Sequence, residues 1–302
     1  MSLLVVGTVA FDGIQTPFGK VDKILGGSAT YIGISASYFN PNSNLISVVG
    51  GDFLQEDIDL LKDHNIDCEG LEIIKNEKTF FWSGRYHENM NIRDTLETQL
   101  NVLETFEPKI PTKYQDCKYL MLANLMPSIQ LDAISKLTNQ PKLIVTDTMN
   151  YWIDSCFEDL MLVIEKTNVL IINDEEALQL SESGNLIEAS KKILKMGPSF
   201  LIIKKGTDGA LLFGDNQVFE CPAFCVKTCV DPTGAGDTFA GAFIGHLSKS
   251  DDISFQNMTA AVIKACAMAS FCVEDFGVRN IVNTNDLSLE ERIVSLERLC
   301  NT

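Results

Sequence analysis

Val169-Leu170-Ile171-Ile172-Asn173-Asp174-Glu175-Glu176-Ala177-Leu178-Gln179-Leu180-Ser181 places an apolar run directly before a segment with helical spacing. The run Val169–Ile172 is short and rich in β-branched residues, which reads as a strand buried in a parallel sheet. Asn173 is placed to cap the helix that follows, and Glu176, three residues on, can complete a capping box. Glu175–Ser181 then carries helical spacing.

Working outward, the same rhythm repeats. Leu3–Val6, Leu45–Val49, Tyr119–Ala123, Leu143–Thr146 and Phe200–Lys204 read as further buried strands. Ser28–Phe39, Phe53–His64, Ser128–Thr138 and Leu186–Met196 read as helices. Strands alternating with helices predict an α/β fold: a doubly wound, mostly parallel central sheet flanked by helices, with right-handed crossovers. The last third turns helical, with apolar segments at Ala240–Leu247 and Met258–Phe271 and an amphipathic one at Ser288–Leu299. One stretch breaks the rhythm. Leu71–Ile74, Lys78–Tyr86 and the polar run to Glu104 read as strands and loop, with no helix between the first two. Together with Gly13–Ile24 they could form a small β-rich lid over one face of the sheet, an edge hairpin being the alternative. The chain reads as one main domain, residues 1–302, with lid segments at about 13–24 and 71–105.

At 302 residues, 45% apolar and 22% charged, the chain can bury a large core. Its formal net charge of -17 and the lack of a basic run argue against a nucleic-acid partner. The same charge means that any site for an anionic ligand must supply its own positive potential, from backbone N–H groups, a helix N-terminus, lysines or bound cations. Met1–Gly7 reads as a first buried strand rather than a signal peptide. No run approaches about 18 uninterrupted apolar residues, so no membrane span is expected. Nine scattered cysteines suit free thiols in a reducing compartment, and the expectation is a cytoplasmic protein. Cys221, Cys225 and Cys229 recur every fourth residue, on one face of a strand if the segment is extended. Without CxxC spacing or a fourth ligand they read as buried free thiols rather than a zinc site.

The chemistry concentrates in Asp231-Pro232-Thr233-Gly234-Ala235-Gly236-Asp237-Thr238-Phe239-Ala240-Gly241-Ala242-Phe243. Pro232 and the glycines resist a regular helix start, whereas Asp237 onward reads as an apolar helix of small residues. Gly234-Ala235-Gly236 therefore lies at a helix N-terminus with unpaired N–H groups, a ready anion site. Asp237, in the first turn, can accept the proton of an attacking hydroxyl; the plainer reading is that it complements the helix dipole.

The whole thirteen-residue string resembles the second signature of the PfkB carbohydrate kinase family, the ribokinase-like enzymes. The resemblance implies Asp237 as catalytic base and Gly234, Ala235 and Gly236 as an anion hole for the transferring γ-phosphoryl group. Gly26-Gly27-Ser28-Ala29-Thr30-Tyr31 resembles the first signature, where Gly26 and Gly27 would let a hydroxylated substrate lie against bare backbone; taken alone, GG is a plain turn. Asn173 to Glu176 resembles the N-x-x-E motif, implying ATP contact and Mg²⁺ held through water by Glu176. Lys204-Lys205-Gly206-Thr207-Asp208-Gly209 resembles the nucleotide loop, with Lys204, Gly206 and Gly209 beside ATP. Asp12 matches the family's substrate-side carboxylate. Asn124, just past a strand end, is a second candidate for hydroxyl recognition. Asp231, Thr233 and Gly277 fall where some members bind a monovalent cation, K⁺. The resemblance runs from about residue 3 to about residue 280 and carries the same fold, with ATP as co-substrate and Mg²⁺ as cofactor.

Two departures stand out. Ser28 and Tyr31 occupy places where ribokinases carry Lys and Asn, and Lys204 stands where Thr is usual. Phe80, Phe81, Trp82, Arg85 and Tyr86 cluster in the lid candidate, with Phe80, Trp82 and Tyr86 on one face of a regular strand. They could line the lid's underside or a dimer contact, or stack on a ring with Arg85 near the phosphate-bearing end. Rival chemistries fit poorly. Gly13 to Val21 has one residue too many for a P-loop and no Ser/Thr for Mg²⁺, and Gly7 opens no G-x-G-x-x-G turn. A non-catalytic binder would be expected to lose the base or the anion hole, and both are present. The sequence therefore predicts ATP-dependent phosphorylation of a small sugar or sugar derivative, with a nucleoside as the alternative.

Overall fold

The computed structural model describes residues 2–301. The chain enters at β1 (Leu3–Val6), continues into the hairpin of β2 (Ala10–Thr16) and β3 (Gly19–Gly26), and turns at Gly27 into α1 (Ser28–Ser37). There follow β4 (Ser43–Gly50), α2 (Gln55–Asp63), β5 (Ile66–Ile74), β6 (Phe81–Tyr86) and β7 (Arg93–Gln99). The middle of the chain supplies β8 (Tyr119–Leu122), α3 (Pro127–Ser135), β9 (Leu143–Asp147), α4 (Asn150–Ser155), α5 (Phe157–Lys166), β10 (Val169–Asn173), α6 (Asp174–Ser181) and α7 (Leu186–Ile193). Last come β11 (Phe200–Lys204), β12 (Ala210–Gly214), β13 (Gln217–Cys221), α8 (Ala235–Ser250), α9 (Phe255–Cys272), α10 (Arg279–Val282) and α11 (Asp286–Cys300).

The main sheet has nine strands in the order β13-β12-β11-β10-β9-β8-β1-β4-β5. From β11 to β5 every pairing is parallel; the β11–β12 and β12–β13 pairings are antiparallel, so β12 alone runs against the rest of the sheet. Burial on both faces explains the unbroken apolar runs: all four residues of β1 and Val169–Ile172 of β10 are at most 1% exposed. β1 has its sequential successor β4 on one side and the later β8 on the other. The winding direction reverses there, and such a switch point opens a crevice beyond the carboxyl ends of the strands.

A second, four-stranded sheet, ordered β3-β2-β6-β7, forms the lid. Its extent differs from the expectation. Leu71–Ile74 belongs to β5, which pairs in parallel with β4 across the α2 crossover and so completes the main sheet. After β7, a short 3₁₀ turn over Asn101–Thr105 buries Val102 in the main core. The lid is thus residues 10–26 and 81–99, narrower at both ends of its second segment. The cysteine expectation also changes. Cys221 is the last residue of β13, because Pro222 cannot donate to the ladder, and the following chain is irregular. Cys221 is buried, Cys225 is exposed and Cys229 lies between the two, so no common strand face exists. Among the described residues no helix is long and apolar enough to cross a membrane.

Candidate active site

Asp12 lies in β2, which follows the switch-point strand β1 after a short turn, and is 5% exposed. Its carboxylate rests against Gly26 at the end of β3, filling the place a Cβ would take. Gly27 has φ 90 and lies so close to Thr8 O that a methyl group there would sit 2.5 Å away, so the turn into α1 requires glycine. Ser28 does not face a ligand with its hydroxyl: it exchanges hydrogen bonds with Thr8, whose Oγ1 is 3.0 Å from Ser28 Oγ. Burial, with Asp231 and Asp237 nearby, pushes Asp12 up to about 7, against the pull of the Gly27 N–H and Arg93.

Opposite Asp12 is the start of α8. Gly234 caps this helix with φ 75, a left-handed conformation. The ring of Tyr31, on α1, lies directly where a Gly234 side chain would point. Ala235 N–H is engaged with Pro232 O at 3.2 Å and Thr238 N–H with Gly234 O at 2.8 Å. Among the described residues the N–H groups of Gly234, Gly236 and Asp237 find no acceptor, so of the three residues expected to form an anion hole only Ala235 has its N–H engaged. The loop before the helix is clamped by Asp231, fully buried, whose two carboxylate oxygens accept the Thr233 N–H at 2.9 Å and the Gly277 N–H at 3.0 Å. Gly277 is itself close to the lid, with Ile24 of β3 2.7 Å from a methyl placed on it. Burial, with Asp147 beside it, pushes Asp237 up to about 7, and Lys204 and Arg93 restrain the rise.

The ends of three neighbouring strands complete this side. Asp147 ends β9, Asn173 ends β10 and Lys204 ends β11, with Asn173 and Lys204 in register. The capping box forms: Asn173 Oδ1 accepts the Glu176 N–H at 2.7 Å, and Glu176 Oε2 accepts the Asn173 N–H at 2.8 Å. Burial pushes Glu176 up to about 7, with Lys204 opposing and Asp147 reinforcing the shift. In the turn after β11, Gly206 faces Asn91 at the tip of the lid, 3.1 Å from a methyl placed there. Gly209 departs from expectation: with φ 89 it is packed onto the Cys221–Ala223 backbone, so its missing side chain admits neighbouring chain rather than a ligand. Asn124 is also otherwise engaged. Its Oδ1 accepts from Trp152 Nε1 at 2.8 Å and its Nδ2 donates to Met149 Sδ at 3.2 Å.

The lid brings two aromatic side chains and one cation over the crevice. β6 pairs in parallel with β2, and Trp82 is in register with Asp12, which puts both side chains on the same face. Tyr86, two pleats on, meets Thr233, whose Oγ1 donates to Tyr86 Oη at 3.1 Å. Arg85 points the other way and pairs with Asp94 at 2.8 Å, both half-exposed, so the arginine expected near the phosphate is not this one. Arg93 is the arginine whose charge reaches the crevice. It is the cross-strand partner of Tyr86, and its charge acts on Asp12, Asp237 and Glu176 alike. Sequence reasoning missed Arg93, Asp147 and Trp152. Asp147 did carry a signal, a carboxylate one residue beyond an apolar strand; Arg93, inside a polar run, carried none.

The geometry can be set beside known proteins. The sequence matches the pfkB family carbohydrate kinase model over residues 5–285. The cytidine kinase of Thermococcus kodakarensis is 27% identical over 255 residues, 82% of this chain and 89% of that protein. The nucleoside kinase of Methanocaldococcus jannaschii is 25% identical over 295 residues, 92% and 87% of the two chains. Its type of fold is shared in the crystal: the M. jannaschii nucleoside kinase structure superposes with a TM-score of 0.78 over 97% of this chain and 98% of that one, at 22% identity. A provisionally named ribokinase II from Escherichia coli, in complex with ATP and Mg²⁺, superposes with a TM-score of 0.80 over 97% and 99%, at 20% identity. With the helix-flanked main sheet, the lid and the near-complete match in one hand and these relatives in the other, the chain belongs to the pfkB family of carbohydrate kinases and is an ATP-dependent kinase.

Proposed function

We propose that the acceptor is a nucleoside, that its ribose is held at Asp12 under Trp82, and that Asp237 takes the proton of the attacking hydroxyl. The observation that carries this reading is the Asp12–Trp82 register, a carboxylate for sugar hydroxyls with an aromatic face beside it on one side of the lid. The names of the two curated relatives quoted above, a cytidine kinase and a nucleoside kinase, support it over the free sugar that the sequence favours. In the proposed step the acceptor oxygen bonds to the γ-phosphorus as its proton passes to Asp237. The P–O bond to ADP breaks and its electron pair stays on the ADP oxygen. The free N–H groups of Gly236 and Asp237 face the charge that develops.

Mg²⁺ fits the residues present. Among the described residues no group of three or more carboxylate, thiol or imidazole side chains could hold a metal directly. Mg²⁺ usually keeps several waters and uses one or two carboxylates plus substrate phosphates. Glu176 and Asp147, buried and mutually repelling, would hold that hydration shell. When bound, the ion would offset phosphate charge. A monovalent cation, K⁺, at Asp231, Thr233 and Gly277 belongs to the proposal too, although both Asp231 oxygens already accept N–H groups and serve to anchor the loop. Rates in potassium and in tetramethylammonium chloride separate the two roles: equal rates leave Asp231 an anchor only.

An ADP-release assay with Mg-ATP against ribose, other sugars and the common nucleosides tests the main reading. A nucleoside turned over far better than ribose supports it, and the reverse order restores the free sugar. Trp82→Ala should raise the acceptor KM by roughly 5- to 30-fold, as loss of about 1–2 kcal/mol of stacking would, and leave the ATP KM nearly unchanged. Equal shifts in both would remove Trp82 from the acceptor site.

A further inference from the structure

Lys204 is the feature that the family pattern does not require and the geometry makes conspicuous. It ends β11 in register with Asn173, beside Asp147 at the end of β9. Its Nζ donates to Asp147 Oδ1 at 3.3 Å, and the two side chains are only 18% and 7% exposed. That distance is long for a charge-assisted hydrogen bond, which usually falls at about 2.7–2.9 Å. The ammonium is therefore not drawn fully onto Asp147. On its other side lies the first turn of α8: a methyl group on Gly236 would sit 2.9 Å from Nζ. Of its three protons, one has an acceptor among the described residues. The amine thus stands at the edge of the turn whose Gly236 and Asp237 N–H groups are open.

A buried pair whose only task is mutual neutralisation has no need to abut an anion hole, and apolar residues often replace such pairs without loss. A cation with unused donors at that edge has a different use. We propose that Lys204 is a catalytic residue of the transfer: its ammonium contacts the γ-phosphoryl group held at the start of α8 and meets the charge that builds as the group leaves ADP for the acceptor oxygen. Lys204 keeps its protons throughout; the acceptor proton goes to Asp237 and the electron pair of the broken P–O bond to ADP. The inference rests on the kinase reading above and adds a residue to it.

The test compares Lys204→Met with the unmodified protein, using the best acceptor from the ADP-release assay. The expected result is a fall in kcat of roughly 10²-fold, the scale of losing one transition-state donor. Affinity for the non-hydrolysable analogue AMP-PNP should fall with it. Affinity for ADP, which lacks the γ-phosphoryl group, should stay within about threefold. The acid limb of the rate profile should also move to higher pH. Burial and Asp147 raise Asp237, Glu176 adds to this, and Lys204 and Arg93 are the cations that oppose it. If Lys204→Met does not fold, Lys204→Gln, which can still donate to Asp147, takes its place with the same expected split. An unchanged kcat overturns the proposal. So does equal loss of ADP and AMP-PNP affinity, or recovery of kcat in the Asp147→Asn, Lys204→Met double variant, since each marks a structural pair. An unmodified protein inactive on every acceptor would instead count against the kinase reading itself.

Discussion

Asp237→Asn is expected to lower kcat by roughly 10²–10⁴-fold while leaving acceptor and ATP binding nearly intact. Asparagine keeps the shape and the helix position but cannot accept a proton at the required basicity. The fold should tolerate it, because burial already pushes the Asp237 carboxyl up to about 7, so that removing its charge relieves desolvation and the repulsion from Asp147 and Glu176. The same shift fixes the sign of the pH dependence in the unmodified protein. Below about 7 Asp237 carries a proton and cannot take another, so kcat/KM should climb as the pH rises through that value and level off above it. Asp12, raised into the same range chiefly by burial, titrates in the same sense and should steepen the limb. A pH profile flat from about 5 to 8 would mean that the base is another group. Retained kcat in the Asn variant would mean the same by a second route.

Gly234→Ala should cost activity almost as heavily, roughly 10²–10³-fold in kcat/KM, for a purely geometric reason. At φ 75 an alanine bears the left-handed strain of about 1–2 kcal/mol, and its Cβ meets the Tyr31 ring. The turn can only move outward, carrying the Gly236 and Asp237 N–H groups away from the phosphoryl position. Gly234→Asn separates the two causes. Asparagine tolerates left-handed φ better than alanine but has the same Cβ. If the Tyr31 contact dominates, both variants fail alike in steady-state kinetics; a clearly more active Asn variant would assign the effect to backbone strain.

Much of this site was written locally in the chain. The capping box at Asn173 and Glu176 and the glycine turn before Asp237 are each set by residues within a few positions of one another, and each formed as read. So did the buried strands, because their apolar runs report burial directly. What escaped depends on neighbours distant in sequence. Leu71–Ile74 looked like lid, and only its parallel pairing with β4 assigns it to the main sheet. Arg93 faces the crevice only because β7 folds back on β6, so that its place opposite Tyr86 is a product of register. The reach of Trp152 to Asn124 spans two strand–helix units. One omission was legible: Asp215 and Asn216, both at positive φ, make the tight turn of the β12–β13 hairpin, a pairing of residue types that marks such turns.

The contact between Asn91 at the lid tip and Gly206 after β11 has a kinetic implication. The sheet that carries Asp12 also approaches the turn after β11, where the proposed reaction places the nucleotide. A lid that lifted as one body would therefore uncover both ends together. Closure over the pair would shut out bulk water, sparing ATP from wasteful hydrolysis when no acceptor is present to help hold the tip down. Escape of the first product would then wait on the same opening that admits the next acceptor.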